Sequence, residues 1–337
     1  MELELTNCSN LKMDYVVDLP KELNARTVPP ILKNLQGENV AVYTLDMANV
    51  RMVRPAGICF LVCMLAVLAP KRGSRGVRIR IVNLSESVES FLCTLGFFST
   101  LKKRVALIGS EDMIANDERR RRRNEKAAND AYWRGGQESD KPLVWPIETI
   151  FEKSTEGYLS NSQFESDCAR FIDRAVVKFR GLFIEELGMA HVDQGLFWQS
   201  NRELYKNIYD HSESWGIVSV FGRPNHGTIF TYHDVGIGML ASINVNHEEG
   251  EQLTSDLEAI KWAIVDGNSS KKIGNEGWTE NSGVGLSIVS EMVIESRGRI
   301  EIRTGGTIYC HDGQSDWRSL NTDFFPGTHV SVFIPSN

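Results

Sequence analysis

The stretch ELYKNIYDHS, residues 203–212, carries an acid, an amide and an imidazole at a regular spacing of four. An α-helix completes a turn in about 3.6 residues, so Glu203, Asn207 and His211 would lie on nearly one face of a helix. The apolar residues between them would form a second face. The stretch therefore predicts an amphipathic helix with a polar stripe. A polar stripe is usually only a solvated surface, and further motifs are needed to favour a binding site.

A glycine turn follows this helix in the sequence. DVGIGM, residues 234–239, comes after an apolar segment that is typical of a strand. A D-x-G-x-G turn holds the carboxylate of Asp234 at the end of a strand, and Gly236 and Gly238 leave room for a flat ligand. Glycine turns after strands are common, so this motif is weak evidence by itself.

A second glycine motif, NSGVGLSIVSEMVIESRG, covers residues 281–298 and places Gly283 and Gly285 at the start of a predicted helix. The backbone N–H groups and the positive end of the helix dipole favour a phosphate at such a position. Glycine also lets the backbone approach the phosphate oxygens. The motif is not a P-loop, because no G-K-[ST] follows it.

Taken in order, these three motifs and the final segment GTHVSVFIP, residues 327–335, resemble the GHKL ATP-binding fold over roughly residues 150–337. That family includes gyrase, the heat-shock chaperone ATPase, histidine kinases and mismatch-repair ATPases. From about residue 143 the pattern also predicts helices, one of them over residues 165–188, grouped with a mostly antiparallel sheet. The resemblance implies an α/β sandwich that binds ATP and Mg²⁺.

The resemblance implies roles for the polar stripe. Asn207 would be the Mg²⁺ ligand, whose amide oxygen joins waters and phosphate oxygens around the ion. Glu203 would be the general base that orients water at the γ-phosphate. Two alternatives stay open for His211, a structural hydrogen bond near the sheet or a phosphate contact.

The resemblance also implies a base pocket. Asp234 would accept a hydrogen bond from the adenine amino group, and Gly236 and Gly238 would line the pocket. The hydroxyl of Thr328 would support Asp234, often through water.

A lid would cover the nucleotide. The resemblance places it over residues 239–282, a type of loop that closes when the γ-phosphate is present. The candidate phosphate contacts in this loop are Ser269, Ser270, Lys271 and Lys272. For the lysines, a solvated loop is the alternative. Gly283, Gly285 and Leu286 would form the phosphate end of the lid.

The N-terminal part has a different pattern. Residues 1–110 alternate between strand-like and helix-like segments, which predicts a small α/β domain with a helix-covered sheet. Within it, PAGICFLVCMLAVLAPKR predicts a helix from Pro55 to near Pro70. Its apolar run is shorter than the roughly 20 residues that span a bilayer, so a buried core helix is expected.

Two segments of this domain, VYTLDMANVRMVRPAGICFLVCMLAVL and VNLSESVESFLCTLGFFSTL, resemble more loosely a STAS domain, the fold of anti-sigma-factor antagonists. Phosphorylatable members carry an acid and a serine or threonine just before a glycine. Here Arg54, Pro55 and Ala56 precede Gly57, so the acceptor hydroxyl is absent. The resemblance implies a docking or dimerisation module that is not phosphorylated at this site.

A charged segment separates the two parts. Residues 111–142 are polar and include five consecutive arginines, Arg119–Arg123, which predicts an exposed linker or long loop. The arginines could meet a phosphate-rich partner such as nucleic acid, or they could be a solvated charge run flanked by acids. The domain boundaries predicted are therefore 1–110, 111–142 and 143–337.

Composition limits the classes of function. The net charge of −7 argues against general nucleic-acid binding. The six cysteines include no C-x-x-C pair, and the N-terminus lacks the apolar core of a signal peptide. We expect a cytoplasmic protein with reduced thiols and no membrane partner.

The fold class expected is α+β, a STAS-like α/β domain followed by a GHKL sandwich. The function expected is an ATP-binding regulatory protein, a slow Mg²⁺-dependent ATPase whose lid closure controls self-association or binding of a STAS-like or effector protein. A homodimer is one form of that self-association. Gyrase-type relatives use a lysine from a following domain at the γ-phosphate. The chain ends just after the fold, so we expect such a group to come from a partner or a second copy or to be absent, and slow hydrolysis follows from this.

Three alternatives stay open. A protein kinase of the anti-sigma type would act on a separate STAS-like protein. A non-catalytic module would bind nucleotide only for stability. A histidine kinase is less favoured, because His191 lies outside a convincing dimerisation helix.

Overall fold

A computed structural model shows two compact units, Met1–Arg123 and Asn124–Asn337. The structure describes residues 14–35, 40–69, 77–119, 122, 143–150, 189, 192–211, 215–223, 226–245, 252–265, 267–268 and 285–336. The predicted helix over residues 165–188 lies outside these residues. The described residues form helices, one main parallel sheet and one main antiparallel sheet. This architecture is compatible with the expected α+β class.

The first unit contains a four-stranded parallel sheet in the order β1-β3-β5-β6. Its strands are β1 Tyr15–Asp18, β3 Val42–Asp46, β5 Arg78–Val82 and β6 Leu107–Ile108. A small parallel pair joins β2 Glu22–Leu23 to β4 Met52–Val53. The helices are α1 Val28–Leu35, α2 Pro55–Leu68, α3 Glu86–Thr94 and α4 Phe97–Arg104.

Helix α2 is the buried helix that the sequence predicts. It begins at Pro55, whose missing N–H is tolerated in a first turn, and it ends at Leu68. From Ile58 to Ala66 its side chains are buried all round the helix, and Val67 near its end is exposed. At Gly57, a Cβ atom would lie 2.2 Å from the carbonyl oxygen of Leu23, so β2 and α2 approach too closely for any side chain. In the part of the chain that the structure describes, no helix is both long and apolar enough to cross a membrane.

Two features of this unit were not predicted. A second helix, α4, follows α3 directly, because Gly96 adopts the left-handed conformation between them and changes the direction of the chain. Residues 111–119, the start of the predicted linker, are helical, and we label them α5. Asp117 on α5 is fully buried, and its carboxylate accepts a 2.6 Å hydrogen bond from the backbone N–H of Ser99. This contact satisfies one of the open N–H groups at the start of α4 and attaches α5 to the first unit.

The arginine run begins on this helix. The guanidinium of Arg119 donates to the side chain of Asn116 at 2.7 Å and to the carbonyl of Ala115 at 3.2 Å. Residues 120, 121 and 123 lie outside the described part of the chain.

The second unit contains a five-stranded antiparallel sheet in the order β10-β11-β9-β8-β7. Its strands are β7 Leu143–Ile150, β8 Gly216–Arg223, β9 Gly227–Asp234, β10 Arg299–His311 and β11 Arg318–Ile334. The helices are α6 Gln194–His211, α7 Gly238–Asn244, α8 Asp256–Ala263 and α9 Gly285–Glu295. The last two strands pair with each other beyond the part of β11 that pairs with β9, so they extend together as a hairpin beyond the sheet.

One face of this sheet positions the candidate site. Side chains alternate between the faces of a strand, so Phe230, Tyr232 and Asp234 of β9 point to the same side. Phe230 and Tyr232 pack in a core with apolar side chains of α6, α9, β10 and β11. Asp234 ends this row, where the apolar core gives way to the turn before α7. The helices and the carboxylate therefore share one face of the sheet.

Candidate functional site

The polar stripe of α6 meets the start of α9. A Cβ atom built on Gly285 would lie 3.4 Å from Oε2 of Glu203, 3.3 Å from Nδ2 of Asn207 and 3.7 Å from Oδ1 of Asn207. Gly285 is the first residue of α9, where backbone N–H groups point out of the helix. The structure thus brings together an acid, an amide and a helix N-terminus. The partial positive charge at this terminus favours an anion beside it.

Buried contacts fix the position of α6. Leu204, Tyr205 and Ile208 pack in the core, which turns the Glu203–Asn207 side away from it. The hydroxyl of Tyr232 on β9 donates to Oδ1 of Asn201, and Nδ2 of Asn201 donates to the carbonyl of Phe197 at 2.8 Å. The first bond attaches the helix to the strand that ends at Asp234, and the second lies within the helix and holds the amide of Asn201.

Asp234 is held by two backbone groups. Its side chain is 4% exposed, and its Oδ1 accepts hydrogen bonds from the N–H of Gly236 at 2.8 Å and of Thr328 at 3.1 Å. Burial raises the pKa of this carboxyl from 3.8 to about 7. The two backbone hydrogen bonds act in the opposite direction and lower the pKa, but the effect of burial is larger. A carboxyl that titrates near neutrality inside a site is a common property of functional groups.

The turn at Gly327 closes around Asp234. Gly327 has φ +84, and a Cβ atom there would lie 2.1 Å from the carbonyl oxygen of Asp234. Only glycine allows both this backbone conformation and this approach. The predicted support from Thr328 is present, but the contact shown comes from its backbone N–H and not from its hydroxyl.

Thr304 on β10 is a residue that the sequence did not indicate. Its buried Oγ1 accepts a hydrogen bond from the N–H of Met239 at 3.0 Å and donates to the carbonyl of Gly327 at 3.2 Å. A Cβ atom on Gly238, which has φ +79, would lie 2.9 Å from this oxygen. Threonine is ordinary in a strand, so neither composition nor spacing could have identified it.

A histidine pair on the other face of the sheet was also missed. His233 and His329 are cross-strand partners, and their Nδ1 atoms lie 2.8 Å apart. Nε2 of His329 lies 2.9 Å from the carbonyl of Pro326, which can only accept, so His329 is protonated on Nε2 and accepts at Nδ1 from His233.

Both histidines are neutral in the fold. Burial, with repulsion from His329 and Arg303, holds the pKa of His233 well below its usual range. Burial, with the nearby Arg303, lowers the pKa of His329 to about 3, although its bond to Pro326 acts in the opposite direction. The pair joins β9 to β11. His233 directly precedes Asp234, and His329 directly follows Thr328, whose N–H donates to Asp234.

The remaining predicted site residues have different outcomes. His211 is the last residue of α6, and its side chain is outside the described part, as are Ser270, Gly283 and the rest of the predicted phosphate loop. Leu286 follows Gly285 on α9, but its side chain is 5% exposed and packs in the apolar core. Any phosphate contact at Leu286 would therefore come from its backbone.

Metal ligands of the usual kind are not clustered in the described residues, where no group of three or more His, Cys, Asp or Glu side chains could hold an ion. An amide and phosphate oxygens would not form such a group, so this finding does not bear on Asn207.

Comparison of the sequence with known protein families finds no matching family model, and comparison with curated proteins finds no match.

Proposed function

We propose that the chain is an ATP-binding regulatory protein of the GHKL type that hydrolyses ATP slowly with Mg²⁺. The observation that carries the proposal is the meeting of Glu203, Asn207 and the first residue of α9. An acid beside an amide and a helix N-terminus can orient water, ligate a hard cation and bind a phosphate. Closure of a lid over ATP would then control self-association or the binding of a partner.

The residues present fit a magnesium–triphosphate group. Gly285 lacks a side chain at the point where a Cβ would fill the space facing Glu203 and Asn207. The amide oxygen of Asn207 is a ligand type that Mg²⁺ accepts while it keeps several waters. When bound, the ion would neutralise phosphate charge. The backbone N–H groups that open α9 would bind phosphate oxygens directly.

At the base end, Asp234 supplies the specificity. Both hydrogen bonds that the described residues make to this carboxylate end on Oδ1, which leaves Oδ2 to a ligand. An ionised carboxylate accepts hydrogen bonds only, so it suits the amino group of adenine and opposes the carbonyl of guanine at the same position. Gly236 and Gly238 would line this pocket, and a Cβ atom on Gly327 would lie 2.7 Å from Oδ1 of Asp234.

The proposed hydrolysis of ATP takes place at the phosphate end of the site, beside Glu203. The Glu203 carboxylate accepts a proton from water as the water oxygen bonds to the γ-phosphorus. The bond from that phosphorus to the bridging oxygen breaks, and ADP and phosphate leave. A cation at the departing charge usually accelerates this step greatly.

The first unit is proposed to be a STAS-like docking or dimerisation module. Its parallel sheet, with α2 after β4, supports this proposal. At the start of α2, the guanidinium of Arg54 pairs with Glu22 at 3.0 Å, and Pro55 and Ala56 provide no hydroxyl before Gly57. The module would therefore act by binding and not by being phosphorylated at this point.

The parallel sheet of the first unit also supports a second candidate function, a serine/threonine kinase of the anti-sigma type. In that case Glu203 would accept the proton of a hydroxyl on a separate STAS-like protein, and the phosphoryl group would remain on that protein.

One experiment separates these functions. The purified chain is given ATP labelled at the γ-phosphate with Mg²⁺, and the label is followed with and without a STAS-like protein. Label released as phosphate, and lost in Glu203→Gln, is the expected result. Glu291→Gln, which changes an exposed glutamate on α9, is the control and should keep activity. Label retained on protein would establish the kinase. Nucleotide binding without release or transfer would contradict both and leave a binding module.

A further inference from the structure

Thr304 lies at the junction of the two glycine turns that contact Asp234. One turn, from Gly236 to Gly238, supplies an N–H to Oδ1 of Asp234 and leads into α7. The other, at Gly327, lies against the Asp234 backbone and precedes Thr328, which supplies the second N–H. The two turns are far apart in sequence, and β10 lies beside β11 in the sheet.

The hydroxyl of Thr304 joins these turns because it accepts one hydrogen bond and donates another. As an acceptor it binds the N–H of Met239, one of the open donors in the first turn of α7. As a donor it binds the carbonyl of Gly327. Thr304 is fully buried, so water would not easily replace it.

We propose that Thr304 is a positioning residue that sets the base specificity of the nucleotide site by holding both glycine turns against Asp234. The inference rests on the proposed ATP site and deepens it. In the described part of the chain, the hydroxyl of Thr304 bonds to Met239 and Gly327, which lie at the Asp234 end of the site. Its loss should therefore affect recognition of a purine amino group and leave the binding of phosphates unchanged.

The test compares two substitutions at one position. Thr304→Val keeps the shape of the side chain but leaves a buried N–H and a buried carbonyl without their partner. Thr304→Ser keeps the hydroxyl. Affinities for Mg²⁺-ATP and Mg²⁺-GTP are measured by calorimetry for the whole chain. We expect Thr304→Val to lower the ratio of ATP to GTP affinity about 10-fold through weaker ATP binding, and Thr304→Ser to stay within about 2-fold of the wild-type ratio.

A matched control removes a similar hydroxyl elsewhere. Thr231 on β9 is also fully buried and donates to the carbonyl of Ser219 at 3.3 Å, but it lies on the opposite face of the sheet from Asp234. Thr231→Val should leave the ratio unchanged. This control separates an effect on the base pocket from a general weakening of the sheet.

Several outcomes would overturn the inference. An unchanged ratio in Thr304→Val, an equal loss of both nucleotides, or a serine variant as impaired as the valine variant would each do so. If Thr304→Val does not fold, Thr304→Cys is used, since a thiol makes longer and weaker hydrogen bonds. An unchanged ratio there would count equally against the role. If wild-type protein binds neither nucleotide, the proposed function itself is wrong, which is distinguishable from failure of Thr304 alone.

Discussion

Replacing Asp234 with asparagine should stabilise the protein and abolish its preference for adenine. Asparagine keeps an oxygen for the two backbone N–H groups but cannot ionise. In the wild type, the folded pKa of Asp234 is about 7 against 3.8 for an ordinary aspartate. A carboxyl whose pKa is raised by folding contributes stability that is fully present below its unfolded pKa and is lost as the pH rises through the folded pKa.

The magnitude follows from the size of this shift. One pKa unit corresponds to about 1.4 kcal/mol, so the wild type should lose on the order of 4 kcal/mol of stability between about pH 4 and pH 8 from this group. Asp234→Asn should not show this loss. The difference in the free energy of unfolding between the two proteins should therefore grow with pH in favour of the variant.

The assay uses tryptophan fluorescence during urea unfolding. All seven tryptophans follow residue 124, so the signal reports the second unit alone. Asp316→Asn, which changes an exposed aspartate of the same unit, is the matched control. Parallel pH profiles for wild type and Asp234→Asn would refute the reasoning about burial.

The same variant tests recognition. Nδ2 of the new asparagine would replace Oδ2 as the atom that faces the base, so a donor would meet the amino group of adenine. Affinity for ATP should fall by about 100-fold, while affinity for GTP should not fall. Unchanged discrimination between ATP and GTP would exclude Asp234 from base recognition.

Three further predictions concern other positions. Gly285→Ala places a methyl group 3.3 Å from Nδ2 of Asn207; hydrolysis should fall about 10-fold in a steady-state assay, while the unfolding midpoint stays equal or rises because alanine favours helices. His329→Gln should reduce the loss of stability that the wild type shows as the pH falls below about 6.5. At such pH the unfolded histidines bind protons that folded His329 and His233 do not bind. If urea unfolding shows the same dependence of stability on pH in the variant and the wild type, the neutral pair is contradicted. Gly57→Ala forces a methyl group against the backbone of the first unit and should destabilise it by on the order of 3 kcal/mol, seen as an earlier thermal transition by circular dichroism while tryptophan fluorescence is unaffected.

Much of the fold follows from local patterns. The apolar run after Pro55 predicted the buried helix α2, and the spacing of Glu203 and Asn207 predicted the polar side of α6. These features depend on helix geometry and on the sequence of neighbouring residues. They can therefore be predicted from the sequence without knowledge of the tertiary structure. The helical start of the predicted linker was not readable, because the contact that attaches it joins Asp117 to the distant backbone of Ser99.

By itself, the sequence determined which chemical groups this protein has and in which elements they lie: an acid and an amide on one helix face, a carboxylate at the end of a strand, and a glycine at the start of another helix. Only the tertiary structure decided which of them meet. It placed Gly285 beside Asn207, raised the pKa of Asp234 by burial, and joined two remote glycine turns through Thr304. The physical reason is that hydrogen bonds across a sheet and the loss of solvent around a carboxyl depend on strand register and packing, and neither is written in the spacing of residues along the chain.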